Sequence, residues 1–252
     1  MLHVDGHFAR GRSHAVCQDY ALASARRAVV SDGCSSAPHS DVGARLLAHA
    51  AMSASSTALA SGAWLREPRD AQRQLGLPAS CLDATVLIAD AHDDGIAVSM
   101  FGDGVLAARR RDGRLTLIEV SFDDAAPPYP SYALSAERTA AYAAAGLGTP
   151  RLRGTTDAPE PEPRGDALHW RFSRDLWSGV LVGSDGLCAF ADGRGLVQPT
   201  TSVVQALFRY PSPRGAFVTR RLRKFLSKEA PAMGIHPHDD VALAALCWSD
   251  ER

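Results

Sequence analysis

The feature that most constrains this chain is a recurring corner, in which an apolar run ends on aspartate and glycine. Ala28-Val29-Val30 leads into Ser31-Asp32-Gly33, residues 96–101 lead into Gly102-Asp103-Gly104, and Val180-Leu181-Val182 leads into Gly183-Ser184-Asp185-Gly186. Near the C-terminal end the order reverses, and Asp239-Asp240 stands just before an apolar run that starts at Val241. Short β-branched runs read as buried strands, and Asp-Gly after them reads as a turn. An aspartate in that position places a carboxylate at a sheet edge. The glycine lets the backbone carbonyl approach the same point. Taken singly such corners are ordinary turns, and Asp112-Gly113 and Asp192-Gly193 are read that way. The order and spacing of the set carry the information.

Periodicity and composition predict strands at 3–8, 20–23, 28–31, 85–89, 96–101, 105–110, 115–120, 168–172, 179–183 and 241–248, with 84–121 forming an antiparallel meander. Helical spacing of Val42, Leu46, Leu47, Ala50 and Ala51 predicts a helix over 42–60, with Ser40 or Asp41 as its N-cap. Further helical stretches are expected at 63–75, interrupted near Pro68, and at 136–145, 203–210 and 216–228. Strands follow strands rather than alternating with helices, which is the α+β signature. Residues 122–166 carry Pro127, Pro128, Pro130, Pro150, Pro159, Pro161 and Pro163, and read as a flap-like excursion whose proline content argues against regular sheet. The acidic corners lie on both sides of that stretch, so 1–252 is expected to form one domain without a linker.

Of the residues 46% are hydrophobic, enough for a sizeable core, and the net charge of −1 gives no general reason to expect nucleic acid or membrane as a partner. No apolar run reaches the roughly 18 residues of a spanning helix. The N-terminus has no basic stretch followed by an apolar one, so no signal peptide is expected. Cys17, Cys34, Cys81, Cys188 and Cys247 are scattered and lack CxxC spacing. They read as reduced, mostly buried thiols in a cytoplasmic protein rather than as disulfides or a zinc site. The basic residues Arg220, Arg221, Arg223 and Lys224 read either as a solvated helix face or as a docking face for an acidic partner.

If Asp19, Asp32, Asp185 and Asp239 converge, their mutual repulsion demands cations. Two unit charges ~4 Å apart interact by roughly 4 kcal/mol at an effective dielectric near 20. Oxygen-only donors suit Mg²⁺ or Mn²⁺, and a pair of such ions can activate a water and clamp a phosphoryl group. The chain has no Gly-x-Ser-x-Gly elbow, Walker loop, His-Glu-x-x-His or Rossmann glycine triplet to suggest another chemistry.

The series Gln18-Asp19, Val30-Ser31-Asp32-Gly33, Gly102-Asp103-Gly104, Val182-Gly183-Ser184-Asp185-Gly186 and Asp239-Asp240-Val241-Ala242 resembles the motif order of metal-dependent protein phosphatases of the 2C type, the PPM family. Gly11-Arg12-Ser13-His14 before Gln-Asp, and Ser40-Asp41-Val42-Gly43-Ala44 after Asp-Gly, resemble the bacterial branch. The resemblance spans about 5–248. It implies a four-layer α-β-β-α sandwich, two antiparallel sheets flanked by helices, with two Mg²⁺ or Mn²⁺ ions at one edge and room for a third. It implies hydrolysis of phosphoserine or phosphothreonine in proteins by a bridging hydroxide, in a bacterial signalling setting where the partner is a phosphorylated protein and the opposing enzyme a Ser/Thr kinase.

Carried over residue by residue, Asp32 matches the ligand shared by both metals and Gly33 supplies a carbonyl. Asp185 and Asp239 match the remaining carboxylates, Asp19 matches a water-mediated ligand, and Asp103 matches a ligand of the third ion. Asp240 matches a position commonly Asn. Two positions depart from the family pattern. Cys34 stands where many members carry a histidine proton donor, and His14 stands where many carry a phosphate-binding arginine. Arg12, His14 and His39 are the candidates to bind phosphate or donate the proton. A non-catalytic regulatory domain of the same fold, and a phosphohydrolase of small phosphoesters, are the alternative readings.

Overall fold

The computed structural model describes residues 1–123, 126–155 and 157–249. Residues 124, 125 and 156 of the expected excursion, and 250–252 at the end of the expected domain, lie outside them. The strands in chain order are β1 (Leu2–Ala9), β2 (Asp19–Ala23), β3 (Arg27–Gly33), β4 (Ala84–Ala91), β5 (Gly95–Phe101), β6 (Gly104–Arg110), β7 (Leu115–Phe122), β8 (Pro150–Gly154), β9 (Glu162–Arg164), β10 (Ala167–Ser173), β11 (Trp177–Gly183), β12 (Phe190–Asp192), β13 (Ile235–Pro237) and β14 (Val241–Trp248). The helices are α1 (Ser40–Ser53), α2 (Ser56–Ser61), α3 (Arg66–Gln74), α4 (Ala136–Ala144), α5 (Thr200–Leu207), α6 (Phe217–Lys224) and α7 (Ala230–Ala232).

Two six-stranded sheets result, in the orders β1-β14-β11-β6-β7-β8 and β2-β3-β4-β5-β10-β9. All their pairings are antiparallel. Period-2 alternation sets the layers. Along β14, Ala242, Ala244 and Leu246 join Leu87, Ala89 and Trp170 of the other sheet in the central core. Leu243 and Ala245 point outward onto Val204, Leu207, Leu222 and Phe225 of the α5–α6 layer. On the far side, Val86 and Ile88 meet Leu47, Ala48 and Trp64 of the α1 layer. Both faces of each sheet are thus covered, and the expected four-layer α-β-β-α arrangement holds.

Several local expectations change. The helix expected over 42–60 stops at Ser53 and restarts at Ser56. Ser53 turns its hydroxyl back onto the carbonyls of His49 and Ala50, and Ser55 caps the next helix by accepting the Ala58 N–H. The N-cap of α1 is His39, in the left-handed region at φ 60°, and neither Ser40 nor Asp41. Arg27 receives the far end of α1, donating to the carbonyls of Ala51, Met52 and Ala54 while it pairs with Asp90. Pro68 lies in the first turn of α3 and does not interrupt it, because the N–H it lacks has no intrahelical acceptor there.

The meander expected over 84–121 is divided between the sheets: β4 and β5 pair in one, β6 and β7 in the other, and Gly102-Asp103-Gly104 is the crossing point. The proline-rich stretch does contain regular sheet. β8 and β9 take the outer edges of the two sheets, where a missing N–H costs no ladder bond. The helix expected over 216–228 ends at Lys224 and passes through a π-helical turn, Phe225–Glu229. The small β12–β13 ribbon was not foreseen.

Candidate functional site

Strand pairing brings the acidic corners to one end of the sandwich. Asp19 opens β2 directly opposite Asp32 on β3, and Asp32 in turn faces Thr85 on β4. In the second sheet β6 begins beside the end of β11, with Val105 opposite Gly183, and β11 ends opposite Leu243 of β14. Asp103, Asp185 and the Asp239-Asp240 pair therefore flank adjacent strand ends. Like charges facing each other across a ladder are unfavourable, so this arrangement serves something other than stability.

Burial grades across the group. Asp19 is buried, Asp32, Asp103 and Asp239 are half-buried, and Asp185 is exposed. Burial pushes the Asp19 carboxyl up to about 7, against hydrogen bonds from Ser184 and with Asp32, while the charges of Asp240 and Asp185 push the same way as burial. Asp32 is raised well above the usual carboxylate range by burial, then by the charges of Asp19 and Asp185, with both of which it shares hydrogen bonds. Asp103 rises to about 7 through burial and the charge of Asp185. Asp239 rises for the same two reasons. Asp185 is therefore common to the perturbations of Asp19, Asp32, Asp103 and Asp239.

The surrounding contacts fix this group in place. Ser184 Oγ donates to Asp19 Oδ2 at 2.6 Å and accepts the Ala242 N–H at 3.0 Å. Asp240, 1% exposed, accepts the Gly11 N–H at 2.7 Å on Oδ1. Its Oδ2 takes the Gln18 N–H at 2.7 Å and His14 Nδ1 at 2.9 Å. It thereby ties down both ends of the loop that delivers Asp19. Two glycines are required by close approach. A Cβ on Gly186 would stand 1.7 Å from the Asp240 carbonyl, and one on Gly33 would stand 2.7 Å from the Ser40 carbonyl.

The histidine and arginine candidates divide. His14 joins the acidic group, bonded to Asp240 and 3.4 Å from Asp239. Burial opposes its charge, but the Asp240 hydrogen bond and the charges of Asp240, Asp239 and Asp19 outweigh burial and raise its pKa. His39 is exposed, and its carbonyl accepts the Val42 and Gly43 N–H groups at the start of α1. Arg12 is exposed, its N–H bonded to Pro237 and its charge felt at His236.

At the departure point, the Cys34 N–H donates to the Asp83 carbonyl and its Sγ lies 3.1 Å from Ser36 Oγ. Tyr129, from the proline-rich segment, lies beside Cys34; burial and then this neighbour raise the phenol's pKa. The Asp83 side chain anchors the same segment, accepting Ser131 Oγ and Arg138 Nη2, each at 2.7 Å. Arg138 also lies over the Tyr132 ring, 4.5 Å from its centre. Ser184, inside the Gly183–Gly186 corner, and Tyr129, Asp83, Ser131 and Arg138 carry no sequence signal that marks them for these contacts. No local pattern links residues 48 and 55 positions apart in the chain.

An all-carboxylate donor set with raised pKa values suits hard divalent cations, which would take the place of the shared protons. Among the described residues, no three His, Cys, Asp or Glu side chains close into a ready metal cage. The chemistry of these oxygen donors fits such ions.

Comparison with known proteins bears on this arrangement. A family model described as Protein phosphatase 2C matches residues 9–227. No curated protein matches the chain. Among solved structures, it resembles the catalytic domain of the serine threonine protein phosphatase PstP in complex with two manganese ions, with 19% identity, 99% of each chain covered and a TM-score of 0.54. It also resembles PppA, a regulatory component of T6SS in Pseudomonas aeruginosa (17% identity, 98% of this chain and 97% of that one, TM-score 0.56). A third is serine/threonine phosphatase Stp1 from Staphylococcus aureus (13% identity, 99% and 96%, TM-score 0.56). At these identities the structures speak to fold. The family match covers most of the chain, and the chain belongs to the protein phosphatase 2C family, whose members are metal-dependent.

Proposed function

We propose that this protein hydrolyses phosphoserine or phosphothreonine in phosphorylated proteins, with Mg²⁺ or Mn²⁺ held by Asp32, the Gly33 carbonyl, Asp185 and Asp239, and with Asp19 and Asp103 as outer carboxylates. The observation that supports this reading is that Asp19 and Asp32 face each other across β2 and β3 while Asp103, Asp185 and Asp239 flank adjacent strand ends of the second sheet, at the same end of the sandwich. When bound, such cations supply a water of lowered pKa and neutralise charge on the phosphoryl oxygens.

The chain's own residues do the rest. Asp240 and Ser184 hold the loop and the buried carboxylate of Asp19 in register, so little reorganisation remains when substrate arrives. His14, whose pKa the neighbouring Asp240 and Asp239 raise, stands beside the carboxylates on the loop that delivers Asp19. Arg12, on the same loop and exposed, is free to reach a phosphate bidentately. Tyr129 and Cys34 line the side of the site that faces the proline-rich segment, where a leaving alcohol would depart.

The test is competition. Purified protein with manganese is offered a phosphothreonine peptide and ATP together. Phosphate release from the peptide, abolished by EDTA, supports the reading. Release from the nucleotide alone would reassign the enzyme to small phosphoesters, and release from neither would favour a regulatory role.

A further inference from the structure

We propose that Tyr129 is a catalytic residue, its hydroxyl donating a hydrogen bond to the serine or threonine oxygen as that oxygen leaves phosphorus. The role rests on the phosphatase reading and names a donor for the leaving alcohol.

A short strap sets Tyr129 in place. β3 ends, β4 begins and β5 ends along one edge of their sheet, where Asp32 lies opposite Thr85 and a Cβ on Gly102 would stand 2.9 Å from Thr85 Cγ2. Residues 127–131 cross that edge. At one end Pro127 packs on Gly102, beside Asp103, with its Cβ 3.5 Å from where a Gly102 Cβ would stand. At the other end buried Ser131 donates to Asp83 Oδ1 at 2.7 Å, and the Asp83 carbonyl accepts the Cys34 N–H at 2.8 Å. The span fits: two strand spacings are about 10 Å, and four extended residue steps reach about 13 Å. Pro127, Pro128 and Pro130 stiffen the strap, and the first and last of them are buried. Tyr142 donates to the Ala126 carbonyl at 2.8 Å and pins its start. The Tyr132 ring packs edge-on against Tyr129, 5.6 Å away at 81°. Tyr129 is the midpoint of the strap, half-buried, between the corner that carries Asp103 and the corner that carries Asp32.

Its hydroxyl is a donor set among acceptors. Burial first, then Cys34, then the charges of Asp103 and Asp32 raise the phenol's pKa, so it stays a neutral O–H donor. Hydrolysis consumes one water. The water's oxygen joins phosphorus, the bond from phosphorus to the side-chain oxygen breaks, and the electron pair stays on that oxygen, which ends with one of the water's protons. Negative charge therefore grows on the leaving oxygen in a place already crowded with carboxylates. A fixed O–H aimed at it lowers the barrier, and Tyr129 keeps its own proton throughout.

Tyr129→Phe removes one oxygen and keeps the ring against Tyr132. Wild type and variant, each with manganese, are given a phosphothreonine peptide and p-nitrophenyl phosphate. Threonine leaves as a strongly basic alkoxide, whereas nitrophenolate is a stable anion that needs no donor. The expected result is a fall in kcat of about a hundredfold on the peptide with KM little changed, and of less than about threefold on the aryl ester. The ratio of the two rates within one preparation does not depend on how much of the protein is folded. Tyr129→Leu should give the same ratio and serves if the phenylalanine variant does not fold. Equal losses on both substrates, or no loss on the peptide, overturn the proposal. A wild type that cleaves only the aryl ester, or neither substrate, fails the phosphoprotein reading first and the role of Tyr129 with it.

Discussion

Asp240 offers the sharpest test of how the candidate site is held together. Its carboxylate is 1% exposed and accepts from Gly11 N, Gln18 N and His14 Nδ1, all within 2.7–2.9 Å. In Asp240→Ala the buried Gly11 N–H loses its acceptor, at about 2 kcal/mol, while half-buried Gln18 and His14 recover some solvation and lose about 1 kcal/mol each. Against this, removing one charge relieves repulsion on Asp19 and Asp239, by roughly 1 kcal/mol in all at an effective dielectric near 20. The net expectation is a loss of about 3 kcal/mol, or a fall in Tm of roughly 6–12 °C for a chain of this size. Asp240→Asn keeps an oxygen for Gly11 but turns an amide toward two donors, and should lose about half as much. Urea denaturation of both variants, without metal and at constant m-value, measures the differences. A loss below about 1 kcal/mol for the alanine variant, or equal losses for both, would refute the account of Asp240 as the loop's anchor.

Three further outcomes follow from the same contacts. Ser184→Ala removes the donor to buried Asp19 and the acceptor of the Ala242 N–H, so it should destabilise by about 1–3 kcal/mol in thermal melts. Arg138→Ala frees Asp83 and the segment that carries Tyr129; amide exchange should quicken across 130–144 while the central strands keep their protection. Manganese at 100 times its Kd should stabilise the wild type by about 2.7 kcal/mol and leave Asp32→Asn nearly unmoved, as differential scanning fluorimetry would show.

The sandwich was legible because its strands are short, apolar and bounded by Asp-Gly corners, and because the family resemblance supplied the layer order. What escaped was decided at a distance. Whether Gly102-Asp103-Gly104 continues one sheet or crosses to the other depends on which strands β10 and β11 offer as neighbours, not on the corner's own residues. The end of α1 was misjudged because alanine-rich spacing runs on past Ser53, while the serine hydroxyls compete locally for the backbone. The proline rule was sound for central strands but did not anticipate edge strands. At the site, the aspartates were visible as an ordered set, and the structure brings them to one end. The clip made by Asp83, Ser131 and Arg138 was not visible, since its members share no spacing and meet only when the proline-rich segment folds back. Of the three catalytic candidates, the structure places His14 among the carboxylates, whereas His39 serves the start of α1.

Asp32 is proposed to stand at the heart of a metal-dependent phosphatase site. Phosphate release from a phosphothreonine peptide, followed as manganese is titrated into wild type and Asp32→Asn, tests it most directly. Wild type should show saturable, manganese-dependent turnover, with at least a hundredfold less in the variant, corresponding to about 2.7 kcal/mol of lost transition-state stabilisation. Turnover that ignores manganese, or survives unchanged in Asp32→Asn, would contradict it.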